Sequence, residues 1–194
     1  MEFDKTQVQK SGDTEIGYGI LRGSKNIIFI KSGNGGKFDG GGGKYLRLGE
    51  YLRQKYGCSV ICASNPIESK YSFREDMSVL CGYMREEGFG DADIYLIGNS
   101  DGCFRAIDIA ENIRVTKMVL MNMPLMINFY KTKETLKNIA DTEISFIYGD
   151  HDPSIPYLPF LRTLTSCRFF SLPDTGHRIY LDDTQIRMIE EILF

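Results

Sequence analysis

The residues with the clearest capacity for chemistry lie in Asp93–Gly102, which reads Asp-Ile-Tyr-Leu-Ile-Gly-Asn-Ser-Asp-Gly. The apolar run Ile94 to Ile97 predicts a buried strand. Cys103, Ala106, Ile107 and Ala110, spaced i, i+3, i+4, i+7, predict a helix directly after it. Between them stands a G-x-S-x-G pattern. In a strand–turn–helix setting this pattern lifts the Ser100 hydroxyl out of the sheet on a strained turn. The helix N-terminus beside it offers amides that stabilise developing negative charge. The pattern alone is weak in a chain with 20 glycines, because a serine in this place also serves as a plain helix cap. Nucleophilic attack by Ser100 requires a base and an acid elsewhere.

The chain has 2 histidines, His151 and His177, and imidazole is the side chain best suited to take a proton near pH 7. His177 lies in Leu172-Pro173-Asp174-Thr175-Gly176-His177, between a predicted strand and the last predicted helix. His151 lies in Gly149-Asp150-His151-Asp152-Pro153, just after the strand that ends at Tyr148, and is flanked by two acids. Residue type alone leaves both histidines open as the candidate base. Asp152 and Asp150 are both open as its orienting acid.

These loops need a frame. Segments of about Thr6–Lys10 and Glu15–Arg22 flank the turn residues Ser11-Gly12-Asp13 and predict an antiparallel hairpin. Asn26–Lys31, Ser59–Ala63, Val115–Met121, Glu143–Tyr148 and Cys167–Leu172 predict further strands. Helical stripes run through Tyr45–Tyr56, Phe73–Met84, Lys133–Ile139, Tyr157–Leu164 and the segment carrying Ile186, Ile189 and Leu193. Met123–Tyr130 is apolar without clean periodicity, either a short helix, a pocket lining or core. Strands alternating with helices predict an α/β fold in one domain spanning residues 1–194. Its central sheet is mostly parallel, has helices on both faces, and starts with the hairpin. Sites in such sheets form at the carboxyl ends of strands, where Ser100, the two acids and His177 all fall.

The glycine-rich stretch Ser32–Gly43 invites a phosphate-binding reading, but the patterns fail. Lys37 and Lys44 are followed by Phe38 and Tyr45 rather than Ser or Thr, and G-x-G-x-x-G from Gly33 ends on Phe38. The stretch is then either a surface loop or a loop whose amides face an oxyanion.

The order serine, aspartate, histidine, each at a strand end, resembles the α/β-hydrolase superfamily over nearly the whole chain from about Asn26 onward. Gly-Asn-Ser-Asp-Gly resembles its nucleophile turn. Tyr148-Gly149-Asp150-His151-Asp152 resembles its acid loop, with Asp152 in the acid position, and Gly176-His177 resembles its histidine loop. Members often carry His-Gly where this chain has Ser32-Gly33. The resemblance implies Ser100 as nucleophile, His177 as base and Asp152 as orienting acid. It also implies the backbone amides of Asp101 and Asn34 as the oxyanion hole. With so few residues between Asn122 and Asp141 for a large cap, a minimal hydrolase with an open or shallow pocket is expected.

The bulk numbers exclude other classes. A net charge of −3 lacks the basic footprint of a nucleic-acid binder. The 5 cysteines are scattered without a C-x-x-C pair, which reads as reduced core thiols in a cytoplasmic protein. The N-terminus lacks the apolar segment of a signal peptide, and no run is long enough to span a membrane. No cofactor or metal is implied. The expected activity is a serine hydrolase acting on an ester or thioester of a small-molecule acyl substrate. An acyltransferase or peptidase sharing the same three residues, and a non-catalytic binding module retaining the fold, are the alternatives.

Overall fold

The computed structural model describes residues 1–67, 73–127, 129–139, 141–162 and 167–194. Strands β1 (Lys5–Ser11) and β2 (Thr14–Leu21) pair antiparallel through the turn at Gly12. The remaining strands are β3 (Ile27–Lys31), β4 (Ser59–Ala63), β5 (Ile94–Asn99), β6 (Lys117–Met121), β7 (Glu143–Gly149) and β8 (Arg168–Leu172). They form one eight-stranded sheet in the order β1-β2-β4-β3-β5-β6-β7-β8. The pairings from β4 to β8 are parallel, while β2 pairs antiparallel with β4. The α/β class, the mostly parallel sheet and the N-terminal hairpin therefore match the sequence pattern.

Each central strand is apolar on both faces because each face is covered, the condition that turns alternation into a continuous apolar run. Ile27, Phe29, Ile94, Leu96, Met118 and Leu120 point to one face. There they meet α2 (Arg74–Glu87), α3 (Gly102–Ala110), α4 (Phe129–Asn138) and α5 (Leu158–Arg162). Ile28, Ile30, Tyr95, Ile97, Val119 and Met121 point to the other. That face is covered by α1 (Lys44–Tyr56) and α6 (Asp183–Leu193). Gly57 ends α1 and Gly88 ends α2, each in the left-handed conformation that closes helices.

Some boundaries move. The fourth helix begins at Phe129 rather than Lys133, and of the uneven apolar run before it Met123 and Leu125 are buried while Met126 and Ile127 are exposed. The predicted helix Tyr157–Leu164 is a 3-10 turn at Ile155–Tyr157 followed by α5, with 163–164 outside the described residues. The stretch after β4 reads from sequence as a loop beginning at Asn65-Pro66 and reaching to about Ser72, of which 68–72 lie outside the described residues. The 5 cysteines are free thiols. Cys103 packs below the serine turn, and burial pushes its thiol well above the ordinary range. No helix among the described residues is long and apolar enough to cross a membrane.

Candidate active site

β5 passes into α3 through a turn at which Ser100 has φ 51°, a left-handed backbone that ordinary side chains avoid. The flanking glycines are there for space. A Cβ on Gly98 would stand 2.6 Å from the Cys103 Cα, and one on Gly102 would stand 2.4 Å from the Ser32 carbonyl oxygen. One glycine lets helix approach strand, and the other lets the turn approach the end of β3. The Ser100 amide donates to the Met121 carbonyl at 2.8 Å, anchoring the turn to β6.

The Ser100 Oγ lies 2.8 Å from His177 Nε2, and His177 Nδ1 lies 2.6 Å from Asp152 Oδ2. A carboxylate offers only acceptors, so Nδ1 carries the imidazole proton and Nε2 accepts from the serine hydroxyl. The Asp152 side chain is fully enclosed, whereas that of His177 is 46% exposed. Burial opposes ionisation of Asp152. Hydrogen bonds from His177 and from the Ser154 amide, the latter 2.7 Å long, outweigh it and hold the carboxyl below its usual range. The same bond to Asp152 raises the His177 pKa above 6.5, with desolvation pulling the other way.

The other acid in the loop, Asp150, has a different place. Its two oxygens accept the backbone amides of Asp174 and Thr175 at 3.1 and 3.0 Å, bracing the turn before His177. The bond from Thr175 foremost, joined by that from Asp174, lowers its pKa against the opposing effect of desolvation. His151 is exposed and lies 3.7 Å from Asp150, in the same outer layer. The acid and base loops are closely fitted. A Cβ on Gly149 would fall 2.1 Å from the Thr175 carbonyl oxygen, and the His151 amide donates to that oxygen at 3.0 Å.

On the opposite side, the loop after β3 folds into a turn in which the Gly36 amide donates to the Gly33 carbonyl. Gly35, with φ 70°, takes the left-handed third position. The loop is tied down by the Gly35 amide on the Asn65 carbonyl, the Asn65 amide on the Gly36 carbonyl, and the buried Ser32 hydroxyl on the same Gly36 oxygen at 3.0 Å. A Cβ on Gly33 would come within 3.2 Å of the Ser100 Cβ, so this loop lies directly against the serine. Asn34 is exposed on the turn. Asp101 makes no side-chain cap to α3. Its carboxylate accepts a hydrogen bond from the Asn65 side-chain Nδ2 at 3.0 Å.

The run of glycines from Gly40 to Gly43 feeds α1, with Gly40, Gly42 and Gly43 all at positive φ. The first residue of that helix, Lys44, is buried and donates to the Ile179 carbonyl at 2.7 Å, just past His177. Burial, with help from nearby Arg178, brings its pKa down to about 8. This docking of the histidine loop has no local signature, since the partners are far apart in the chain.

The arrangement is that of the α/β-hydrolase fold. Among solved structures, the chain is similar to an α/β serine hydrolase homologue from Coxiella burnetii, with 14% identity and a TM-score of 0.68, covering 100% of this chain and 97% of that one. It is also similar to Est1E from Butyrivibrio proteoclasticus, with 12% identity and a TM-score of 0.69 over 96% and 94% of the two chains. A third likeness is to the α/β hydrolase domain-containing protein 10 from mouse, with 12% identity and a TM-score of 0.66 over 97% and 98%. At such identities the likeness establishes the fold. No family model matches the sequence, and no curated protein is similar to it.

Proposed function

We propose that the protein is a serine hydrolase that cleaves an ester or thioester of a small-molecule acyl substrate through an acyl-enzyme. The observation that carries this reading is the unbroken relay from the Ser100 hydroxyl through His177 to Asp152, at 2.8 and 2.6 Å. Ser100 Oγ attacks the acyl carbonyl while His177 Nε2 takes its proton. Asp152 keeps Nδ1 protonated and stabilises the imidazolium that results. The carbonyl electrons collect on oxygen, where the backbone amides of Asp101 and Asn34 form the oxyanion hole. One such donor contributes about 3–4 kcal/mol to transition-state stabilisation. Collapse of this intermediate breaks the bond to the alcohol or thiol, which leaves with the proton from His177. A water then enters from the exposed edge of the imidazole, gives its proton to Nε2 and attacks the acyl-serine. The product acid departs and the hydroxyl is restored.

The contact between hydroxyl and imidazole speaks against a module that merely retains the fold. A fluorophosphonate probe tests the reading. Wild type is expected to be labelled on Ser100 and to turn over short activated esters and thioesters, with both signals lost in Ser100→Ala. An unlabelled wild type that turns over none of these substrates sinks the proposal.

A further inference from the structure

β6 ends at Met121, and the next residue, Asn122, is completely buried with φ 46°. Its amide N–H continues the sheet by donating to the Ile147 carbonyl at 2.8 Å. Its side chain reaches two loops at once. Oδ1 accepts the Gly149 amide at 2.9 Å, where the chain turns toward Asp152. Nδ2 donates to the Gly176 carbonyl at 3.0 Å and to the His177 carbonyl at 2.7 Å. One carboxamide therefore joins the main chain of the acid loop to the main chain of the base loop.

Two requirements meet at this position. A left-handed backbone is readily adopted by glycine and, among other residues, chiefly by asparagine and aspartate. The two loops require an acceptor on one arm and a donor on the other. Glycine has neither, and an aspartate carboxylate cannot donate. Asparagine satisfies both requirements. The imidazole also needs this support, because its ring is half-exposed and, among the described residues, its side-chain hydrogen-bond partners are Ser100 and Asp152.

We infer that Asn122 is a positioning residue that sets the His177 imidazole between Asp152 and Ser100 by fixing the spacing of the two loops. The inference rests on the hydrolase reading for its consequence, but its geometry can be tested separately. Asn122→Gly keeps the backbone conformation and removes the carboxamide. Asn122→Asp keeps the shape and the acceptor for Gly149 and removes both donors. The rate at which a fluorophosphonate labels Ser100 is expected to fall roughly tenfold to a hundredfold in both variants, the scale of a slightly misplaced catalytic group. The chain has 2 histidines, so NMR of histidine-labelled protein follows His177 directly. Its titration midpoint in Asn122→Gly is expected to drop from its raised value toward that of an ordinary imidazole, because the bond to Asp152 is what raises it.

Wild-type labelling rates in both variants, with an unmoved His177 midpoint, overturn the inference. So does a wild-type rate in Asn122→Asp alone, since the donors would then be irrelevant. Should Asn122→Gly fail to fold, the labelling rate of Asn122→Asp decides. If wild type takes no label, the hydrolase reading falls, while the His177 midpoint in Asn122→Gly still decides whether Asn122 holds the loop.

Discussion

Two pairings of a carboxylate with a nitrogen base support this molecule, and they differ in their access to water. Lys31, the last residue of β3, meets Asp76 of α2 at 2.8 Å with both side chains fully enclosed. The Lys31 ammonium also donates to the Ser64 carbonyl at 2.7 Å, and the Tyr18 hydroxyl donates to Asp76 at 2.9 Å. Burial lowers the Lys31 pKa, and Asp76 opposes that shift. In the second pair only the carboxylate is enclosed, and the His177 ring is half open. Enclosure on both sides makes the first pair a strut whose protons have nowhere to go. On the proposed function, enclosure of one side alone suits the second to a relay, with a fixed acid and a base that can exchange its proton.

The most severe test of that contrast is to cut the relay at its start. Ser100→Ala is expected to lower turnover by about five or six orders of magnitude, as loss of a covalent nucleophile does. Its thermal midpoint should stay near wild type, because the hydroxyl carries no part of the core. Asp152→Asn is expected to cost roughly 10⁴ in kcat by allowing the wrong imidazole tautomer. Steady-state kinetics and a melting curve on the same samples check both.

The strut should behave in the opposite way. Asp76→Asn takes the Asp76 charge away from the enclosed Lys31 ammonium and is expected to destabilise the fold by about 3–5 kcal/mol. Denaturant unfolding measures that loss, while kcat per folded molecule should change little. A large fall in kcat with unchanged stability would make Lys31 and Asp76 part of the chemistry.

Acidity separates the pairs further. His177 must be neutral to act as base, so activity should rise with pH through a midpoint above 6.5, its ordinary value. Stability runs the other way. The raised His177 pKa gives a contribution that is full below 6.5 and is lost as pH climbs through the folded-state value. The depressed Asp152 pKa gives one that is present above 3.8 and lost as pH falls through the folded-state value. Both describe one interaction, so its stabilisation is greatest between 3.8 and 6.5, below the pH at which the base works best. Melting temperature and turnover measured from below pH 3.8 to well above pH 6.5 should peak at different pH values, the first inside that window and the second above it.

Much of this frame was legible from residue order. Apolar runs such as Ile27–Lys31 and Ile94–Ile97 announce strands covered on both faces, and Gly57 and Gly88 mark helix ends. The turn around Ser100 was readable because its crowding demands glycine on both sides. The strut was not readable, since Lys31 and Asp76 stand 45 residues apart and meet only through packing of α2 on the sheet. Asn122 looks like any polar residue after a strand until its 55-residue reach to His177 is seen. Lys44, with a partner 135 residues away, was hidden in the same way. The start of α4 was not legible because the apolar run before it mixes buried Met123 and Leu125 with exposed Met126 and Ile127, without a helical period.

The smallest expected effect bears on a choice that residue types alone leave open. Asp150 and Asp152 sit two positions apart in one loop, and either carboxylate is chemically able to orient an imidazole. The turn at Gly149 sends them to opposite sides of the base loop. Asp152 faces inward to Nδ1, and Asp150 grips the backbone amides of Asp174 and Thr175 from outside. Asp150→Ala removes that outer grip but leaves the His151 amide on the Thr175 carbonyl and the Asp150 amide on the Leu172 carbonyl, both 3.0 Å long. The expected loss in kcat is therefore less than about tenfold, a change of one modest interaction in the barrier. Asp152→Asn should lose roughly a thousand times more than that. Kinetics on the two variants side by side measure the gap, and a reversed ranking would transfer the orienting role to Asp150 and make the buried Asp152 a second strut.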